Sequence, residues 1–191
     1  MRIRDLLVAE RIGPDQFVGI NAGKTRHNGL EVYMDYEIRS LTRWGNFKIF
    51  SSYTYSDYKF IDFKDDTADY SGNKLTGTAT HNFNIGVDAN INFGFYGNIN
   101  YNYVDAFPMR DDNSIYSDAY QVMNLKLGYK KKFLTGDLEL DVSFGIQNLL
   151  DEKYASMVLI NAGSFGGNAP RYYYPGLPRN YYGAVSLKYM L

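Results

Sequence analysis

The 191-residue sequence predicts an all-β protein: an antiparallel up-and-down meander of about seven long amphipathic strands, part of a transmembrane β-barrel. Three observations predict it. Apolar and polar residues alternate over stretches of about ten residues, the connections between these stretches are short and long by turns, and aromatic residues gather where the stretches end.

The alternation is cleanest in Leu138 to Gln147, where Leu138, Leu140, Val142, Phe144 and Ile146 oppose Glu139, Asp141, Ser143, Gly145 and Gln147. Successive side chains of a strand point to opposite faces, so this ribbon has one oily and one wet side. Its length spans a bilayer core as a tilted strand. A charge at Val142 is therefore expected to be costly, and one at Ser143 tolerated.

In chain order, residues 1 to 17 carry the turn signal Gly13-Pro14-Asp15 and no sustained period, which predicts a loop. The first strand is expected from near Val18, and its clear part sets Leu30, Val32, Met34, Tyr36 and Ile38 against Glu31, Tyr33, Asp35 and Glu37. After a turn at Thr42 to Asn46, Phe47, Ile49, Tyr53 and Tyr55 alternate with Lys48, Ser52, Thr54 and Ser56, with Phe50 and Ser51 out of phase. This second strand is expected to end near Tyr58. Lys59 to Thr80 is polar and too long for a hairpin turn, so it reads as a large loop.

The third strand opposes Phe83, Ile85, Val87, Ala89, Ile91 and Phe93 to Asn82, Asn84, Gly86, Asp88, Asn90 and Asn92. Phe93-Gly94 turns into the fourth, with Phe95, Ile99, Tyr101 and Tyr103 against Asn98, Asn100 and Asn102. A polar loop follows over Pro108 to Ala119. The fifth sets Met123, Leu125, Leu127, Tyr129 and Phe133 against Asn124, Lys126, Gly128, Lys130 and Lys132, leaving Lys131 to snorkel from the oily face. Thr135-Gly136-Asp137 leads into the sixth, a Gly-rich loop runs from about Leu150 to Pro178, and the last strand is Arg179 to Leu191.

In a meander successive connections fall on opposite ends of the sheet, so all three long loops share one end and all three short turns the other, as in outer-membrane barrels. Phe93, Phe95, Tyr129, Phe133, Tyr189 and Leu191 crowd the short-turn end, and Tyr53, Tyr55, Tyr101 and Tyr103 the long-loop end. They resemble two interfacial girdles around an aliphatic band. Two other architectures share the alternation. A complete eight-stranded small barrel with a structural or adhesive role would hide its eighth strand in residues 1 to 20, and a soluble β-sandwich or lipocalin-like binder would cover the oily face with protein.

Composition narrows the function classes. Nineteen Tyr, twelve Phe and one Trp make the chain 17% aromatic, while a mean hydropathy of −0.37 and the lack of a long apolar run exclude a spanning helix without excluding a barrel. A net charge of −1 with scattered Lys and Arg offers no field for nucleic acid. With no cysteine there is no disulfide, thiolate chemistry or cysteine-held metal. The first residues lack an export leader's apolar run.

No catalytic constellation stands out, so the expectation is that the chain is not an enzyme and holds no cofactor and no metal. His27 and His81 lack a second imidazole at ligand spacing. Asp65-Asp66, Asp111-Asp112 and Asp151-Glu152 read as solvated loop tips, and Gly163-Ser164-Phe165-Gly166-Gly167 as a loop without the strand-turn-helix context of a phosphate cradle. A ligand, if bound, is expected in the third long loop, where Arg171, Tyr172, Tyr173 and Tyr174 offer a cation and aromatic rings suited to an anionic aromatic chelate. The inward polar rows hold Glu31, Asp35, Glu37, Asp88, Lys126, Lys130, Glu139 and Asp141, which would face the lumen.

Asn148-Leu149-Leu150-Asp151-Glu152-Lys153-Tyr154 after an amphipathic strand, then Pro175-Gly176-Leu177-Pro178-Arg179 opening a final aromatic strand, resembles the C-terminal end of TonB-dependent outer-membrane receptors. Asn21-Ala22-Gly23-Lys24 continuing to Gly29-Leu30-Glu31, and Gly72-Asn73-Lys74-Leu75 with His81, resemble upstream segments of the same receptors. The resemblance implies a barrel in a Gram-negative outer membrane that takes a scarce ligand, by default a ferric siderophore or similar metal chelate, with energy from the TonB complex. It further implies that residues 1 to 191 are the C-terminal portion of the barrel. The partners it implies are outer-membrane lipid, a plug domain, further barrel strands, and TonB through a region ahead of this chain.

Overall fold

The computed structural model describes residues 1–4, 7–11, 16–21, 23–38, 45–65, 68–133, 137–164 and 166–189. In chain order its strands are β1 (Arg2–Arg4), β2 (Leu7–Arg11), β3 (Phe17–Asn21), β4 (Lys24–Ile38), β5 (Gly45–Asp62), β6 (Lys64–Asp65) and β7 (Ala68–Asp69), followed by β8 (His81–Ile91), β9 (Phe95–Val104), β10 (Tyr120–Phe133), β11 (Leu138–Gln147), β12 (Ala155–Val158), β13 (Tyr173–Pro175) and β14 (Asn180–Tyr189). There is no helix among the described residues. Seven long strands, β4, β5, β8, β9, β10, β11 and β14, pair antiparallel each with the next, which is the expected meander. β1 adds a short eighth member against the start of β4. The sheet stays open, with β1 and β14 at its edges and no described pairing between them, so these residues do not close as an eight-stranded barrel.

Register carries the alternation of each strand across the whole sheet. Ile49 stands opposite Tyr36 and Val87, Val87 opposite Ile99, Ile99 opposite Leu125, and Leu125 opposite Ile146. The result is one continuous apolar face, and it is uncovered: Met34 is 65% exposed, Leu127 54% and Val185 73%. The fully buried apolar side chains among the described residues, Phe60, Phe63, Pro108 and Met109, all belong to the long-loop end and none to this face. A sandwich would have buried the face beneath a second sheet. No such sheet exists among the described residues, which removes that architecture and leaves the face available to lipid.

The girdle positions meet across strands. Phe95 lies opposite Tyr129 with ring centroids 4.8 Å apart, and Tyr53 and Tyr55 flank the His81 ring. Lys131 stays in the apolar row opposite Leu140, its Nζ 5.2 Å from the Phe133 ring centroid. Leu191 lies outside the described residues, as do most of the turns at 42–46 and 134–137. The remaining short turn, at Phe93-Gly94, is closed by the Gly94 amide donating to the Ile91 carbonyl at 3.0 Å, with Gly94 at φ 94°.

Phe50, out of phase in sequence, is explained by its neighbour. It stands opposite Gly86 on the wet face, and its ring occupies the space a Cβ on Gly86 would need. Tyr96 covers Gly128 and Tyr182 covers Gly145 in the same way, each pair directly opposite in register. A ring laid over a bare backbone fills space on the wet face that an upright side chain at the glycine would need. Ser143, between Gly128 and Ala184 in register, is buried in this layer. The expected tolerance of a charge at Ser143 is therefore corrected: the face is polar, but the site is filled.

Two boundaries also differ from expectation. The turn at 13–15 lies outside the described residues, but Val18 belongs to β3, which pairs with β2 as a separate hairpin. The barrel strand starts only at Lys24, after Gly23 at φ 60° redirects the chain. β5 runs on to Asp62, and its 18 residues measure about 60 Å. It therefore projects past the apolar band and carries Phe60 into a loop cluster with Phe63, Tyr70 and Leu75.

Candidate functional site

The wet face collects the predicted inward residues. Register places Glu31, Asp35 and Glu37 on β4, Asp88 on β8, Lys126 and Lys130 on β10, and Glu139 and Asp141 on β11 on the face opposite the apolar one. Most are tied to a neighbouring strand. Lys48 pairs with Asp35 at 3.4 Å, and Lys130 with Glu139 at 2.9 Å. Asn98 Nδ2 donates to Asp88 at 2.6 Å, and the Tyr96 hydroxyl donates to Asp141 at 2.6 Å. The Lys126 ammonium sits 5.7 Å from the Tyr96 ring centroid. Toward the short-turn end Glu37, Lys48, Asp88, Tyr96, Asn98 and Lys126 line a concavity of about 580 Å³. Exposed ion pairs of this kind contribute little stability. They present a patterned polar wall.

The other concavity lies among the long loops, and its walls are built by the motif noted in the sequence. Asn148, at φ 51° and fully buried, donates from Nδ2 to the carbonyls of Glu152 at 2.8 Å and Leu177 at 3.0 Å, and its Oδ1 accepts from the Glu152 amide at 2.9 Å. Asp151 accepts from the Arg179 amide at 3.0 Å, and the Tyr154 ring covers Gly176. Asn and Asp tolerate the left-handed backbone and bond locally to it, which is why these residue types stand here. The two ends of the third long loop are thus fastened together above β11 and β14.

Between this fastening and the second long loop is a cleft of about 550 Å³, with Phe107, Tyr120, Tyr154 and Tyr173 as aromatic walls and Asp118, Glu152 and Lys153 as charges. Tyr120 and Tyr154 stack at 5.1 Å. Tyr120 shares the face of Lys126 along β10, so the cleft overlies the polar side of the sheet. Burial raises the Tyr173 phenol above its ordinary value, and the negative charge of Asp118 adds to the effect.

Of the four predicted ligand residues, the structure brings Tyr173 to this cleft. Tyr174, its alternate on β13, stands opposite Met157 and is exposed, and Arg171 is also exposed. Tyr172 is 9% exposed in a cluster with Met109 and Ala162, its hydroxyl buried without a protein partner. Sequence reasoning missed Phe107, Tyr120 and Tyr154. Their one available signal was an aromatic at each flank of a long loop.

Asp111 departs from the solvated loop tip expected of it. Its carboxylate accepts from the Thr76 hydroxyl and, at 2.9 Å, from Asn161 Nδ2, and burial raises its carboxyl above the ordinary value against the pull of those two donors. Asp112 does sit at an exposed tip, capping Ser114. Asp66 and Phe165 lie outside the described residues. His27 bonds Thr25 on its own strand at 3.0 Å, and His81 on β8 bonds Tyr53 on the neighbouring β5 at 2.8 Å. Among the described residues no group of three or more His, Asp or Glu could hold a metal ion.

The chain's residues 1–149 match the family model described as TonB-dependent receptor-like β-barrel. Its fold is similar to the ferric citrate transporter FecA in its unliganded form, at 23% identity and TM-score 0.66, over 86% of this chain and 24% of that one. It is similar to the siderophore receptor PiuA of Acinetobacter baumannii at 15% identity and TM-score 0.67, over 98% and 25% of the two chains. The ferric yersiniabactin uptake receptor FyuA of Yersinia pestis matches at 15% identity and TM-score 0.66, over 100% and 26%. The chain thus spans about a quarter of the length of these receptors.

Proposed function

Because the chain belongs to the family of TonB-dependent receptor β-barrels, we propose that it is the C-terminal portion of an outer-membrane active-transport receptor for a ferric siderophore or similar metal chelate. In this reading it does no catalysis. The uncovered apolar face meets lipid of a Gram-negative outer membrane, and the long loops face outward to meet the ligand. The wet face, with Glu31, Asp35, Glu37, Asp88, Lys126, Lys130, Glu139 and Asp141, packs against a plug domain through hydrogen bonds and ion pairs. Energy reaches the receptor from the TonB complex through a region outside this chain.

The observation that carries the reading is the register, which joins seven separate alternations into one oily and one polar face with all the long loops at one end. Ligand contact is proposed for the Arg171 to Tyr174 stretch. Tyr173 reaches into the aromatic cleft, Arg171 and Tyr174 stand exposed beside it, and Tyr172 supports the loop from below. Aromatic walls suit a chelate with planar rings, and a guanidinium suits its carboxylate or phenolate edges.

The test is uptake of radioiron from ferric hydroxamate, catecholate and carboxylate chelates by source cells with and without the gene. Loss of uptake of one chelate on deletion, restored by complementation and abolished by collapsing the proton gradient, is the expected result. Unchanged uptake of every chelate on deletion would overturn the iron reading.

A further inference from the structure

Asp111, on the second long loop, stands where all three meet, with two contacts from the first loop and two from the third. From the first loop, Thr76 donates its hydroxyl to the carboxylate and Asn73 Nδ2 donates to the Asp111 carbonyl at 2.8 Å. From the third, Asn161 Nδ2 donates to the carboxylate at 2.9 Å while its Oδ1 accepts from the Asp111 amide at 3.1 Å. The joints around it run the same way. The Gly77 amide donates to the Pro108 carbonyl at 2.9 Å, the Asn161 amide to the Met109 carbonyl at 2.8 Å, and Asn113 exchanges bonds with the Lys74 backbone at 2.9 and 3.0 Å. Beneath the second and third loops Met109, Ala162 and Tyr172 pack together.

We propose that Asp111 is a positioning residue, a clasp that makes the three long loops one body and sets the spacing between the two walls of the aromatic cleft. The wall bearing Phe107, Ser117 and Asp118 belongs to the second loop, the wall bearing Tyr154 and Tyr173 to the third, and the Asp111–Asn161 pair joins the two. Both side-chain oxygens are used, one accepting from the Thr76 hydroxyl and the other from Asn161 Nδ2. An amide at the same position keeps both joints, because the Thr76 hydroxyl also accepts. Removing the side chain, as in Asp111→Ala, deletes both bonds at once. Asn161 itself is held at φ 51°, so its position in the joint is fixed by the backbone as well as by its side chain.

The proposal rests on the receptor reading only for what the cleft binds, and its test is independent of that reading. Residues 1 to 191 hold no cysteine, so paired spin labels here need only that any cysteine elsewhere in the native polypeptide, purified from the cell fraction that holds it, be replaced by serine. Label pairs at Lys64→Cys with Ser114→Cys, and Ser114→Cys with Ala169→Cys, report the distance from first to second loop and from second to third. Both distance distributions are expected to be narrow, and Asp111→Ala is expected to broaden both. Thr76→Val should broaden only the first and Asn161→Gly only the second, a selectivity that a general folding defect would not give. The single-joint variants also serve if Asp111→Ala fails to fold. Distributions that stay narrow in Asp111→Ala, or Thr76→Val and Asn161→Gly acting on both pairs alike, would overturn the clasp. The expected distance changes, found together with unchanged uptake of every chelate on deletion of the gene, count against the transport reading alone.

Discussion

Tyr172 reads in sequence as a ligand residue and Asp111 as a solvated loop tip, and the structure gives both a place inside the loop assembly. The Tyr172 ring fills the loop core, but its hydroxyl is buried without a protein partner, which costs roughly 1–3 kcal/mol for such a group. Tyr172→Phe is expected to strengthen the loop assembly by about 1 kcal/mol, read as slower amide exchange around Leu159 and Tyr172, whose backbones bond at 2.7 Å. Faster exchange in the variant would show that the hydroxyl has a partner in solution. Asp111 carries a pH prediction. Its carboxyl is raised by burial, so the folded state binds more protons than the unfolded one in the window above the ordinary carboxylate value of 3.8. Its contribution is fully present below that value and is lost as pH rises through the raised one. Protection of residues 73–77, 108–113 and 159–161 is therefore expected to increase as pH falls from neutral, after correction for intrinsic exchange. Loss of protection over that range would contradict the sign.

At the scale of the strand, register turns residues into faces, and two experiments address the faces separately. Arg at Val142, in the apolar row opposite Tyr129 and Val185, is expected to cost about 2–4 kcal/mol if the position lies near the bilayer midplane. Arg at Ser186, in the polar row opposite Asp141, is expected to be neutral. Equal sensitivity of the two in a folding titration into lipid would overturn the face assignment. The glycine and aromatic pairs make the second test. Gly145→Val forces the Tyr182 ring off the backbone it covers, an overpacking expected to cost about 1–3 kcal/mol, and Gly145→Val with Tyr182→Ala should recover part of it. A double variant no better than the single one would show that the ring is not the obstacle. Phe50 was unreadable for the same reason, since its partner Gly86 lies more than thirty residues away in the chain and only pairing brings the two together.

For the whole molecule, the uncovered apolar face and the open sheet edges demand other surfaces. An unpaired edge in lipid leaves backbone groups without partners, at several kcal/mol each, so β14 and the free part of β4 are expected to be paired in the membrane. Fractionation of the source cells followed by mass spectrometry should find peptides of this sequence in the outer membrane after an alkaline wash, in a band several times heavier than 21.9 kDa. Recovery in a soluble fraction would overturn the membrane reading. The sequence by itself determined the seven strands, their two faces and the end that carries the long loops, because a period of two over ten residues is a local property that survives in one dimension. It also held the motif around Asn148 and Asp151, whose bonds close over a few residues and across one loop. Only the tertiary structure decided that no described residue covers the oily face, that aromatic rings fill the space above glycines on distant strands, and that Asp111 joins three loops rather than facing water. Those are relations between segments far apart in the chain, set by register and by which surfaces meet, and no local pattern encodes them.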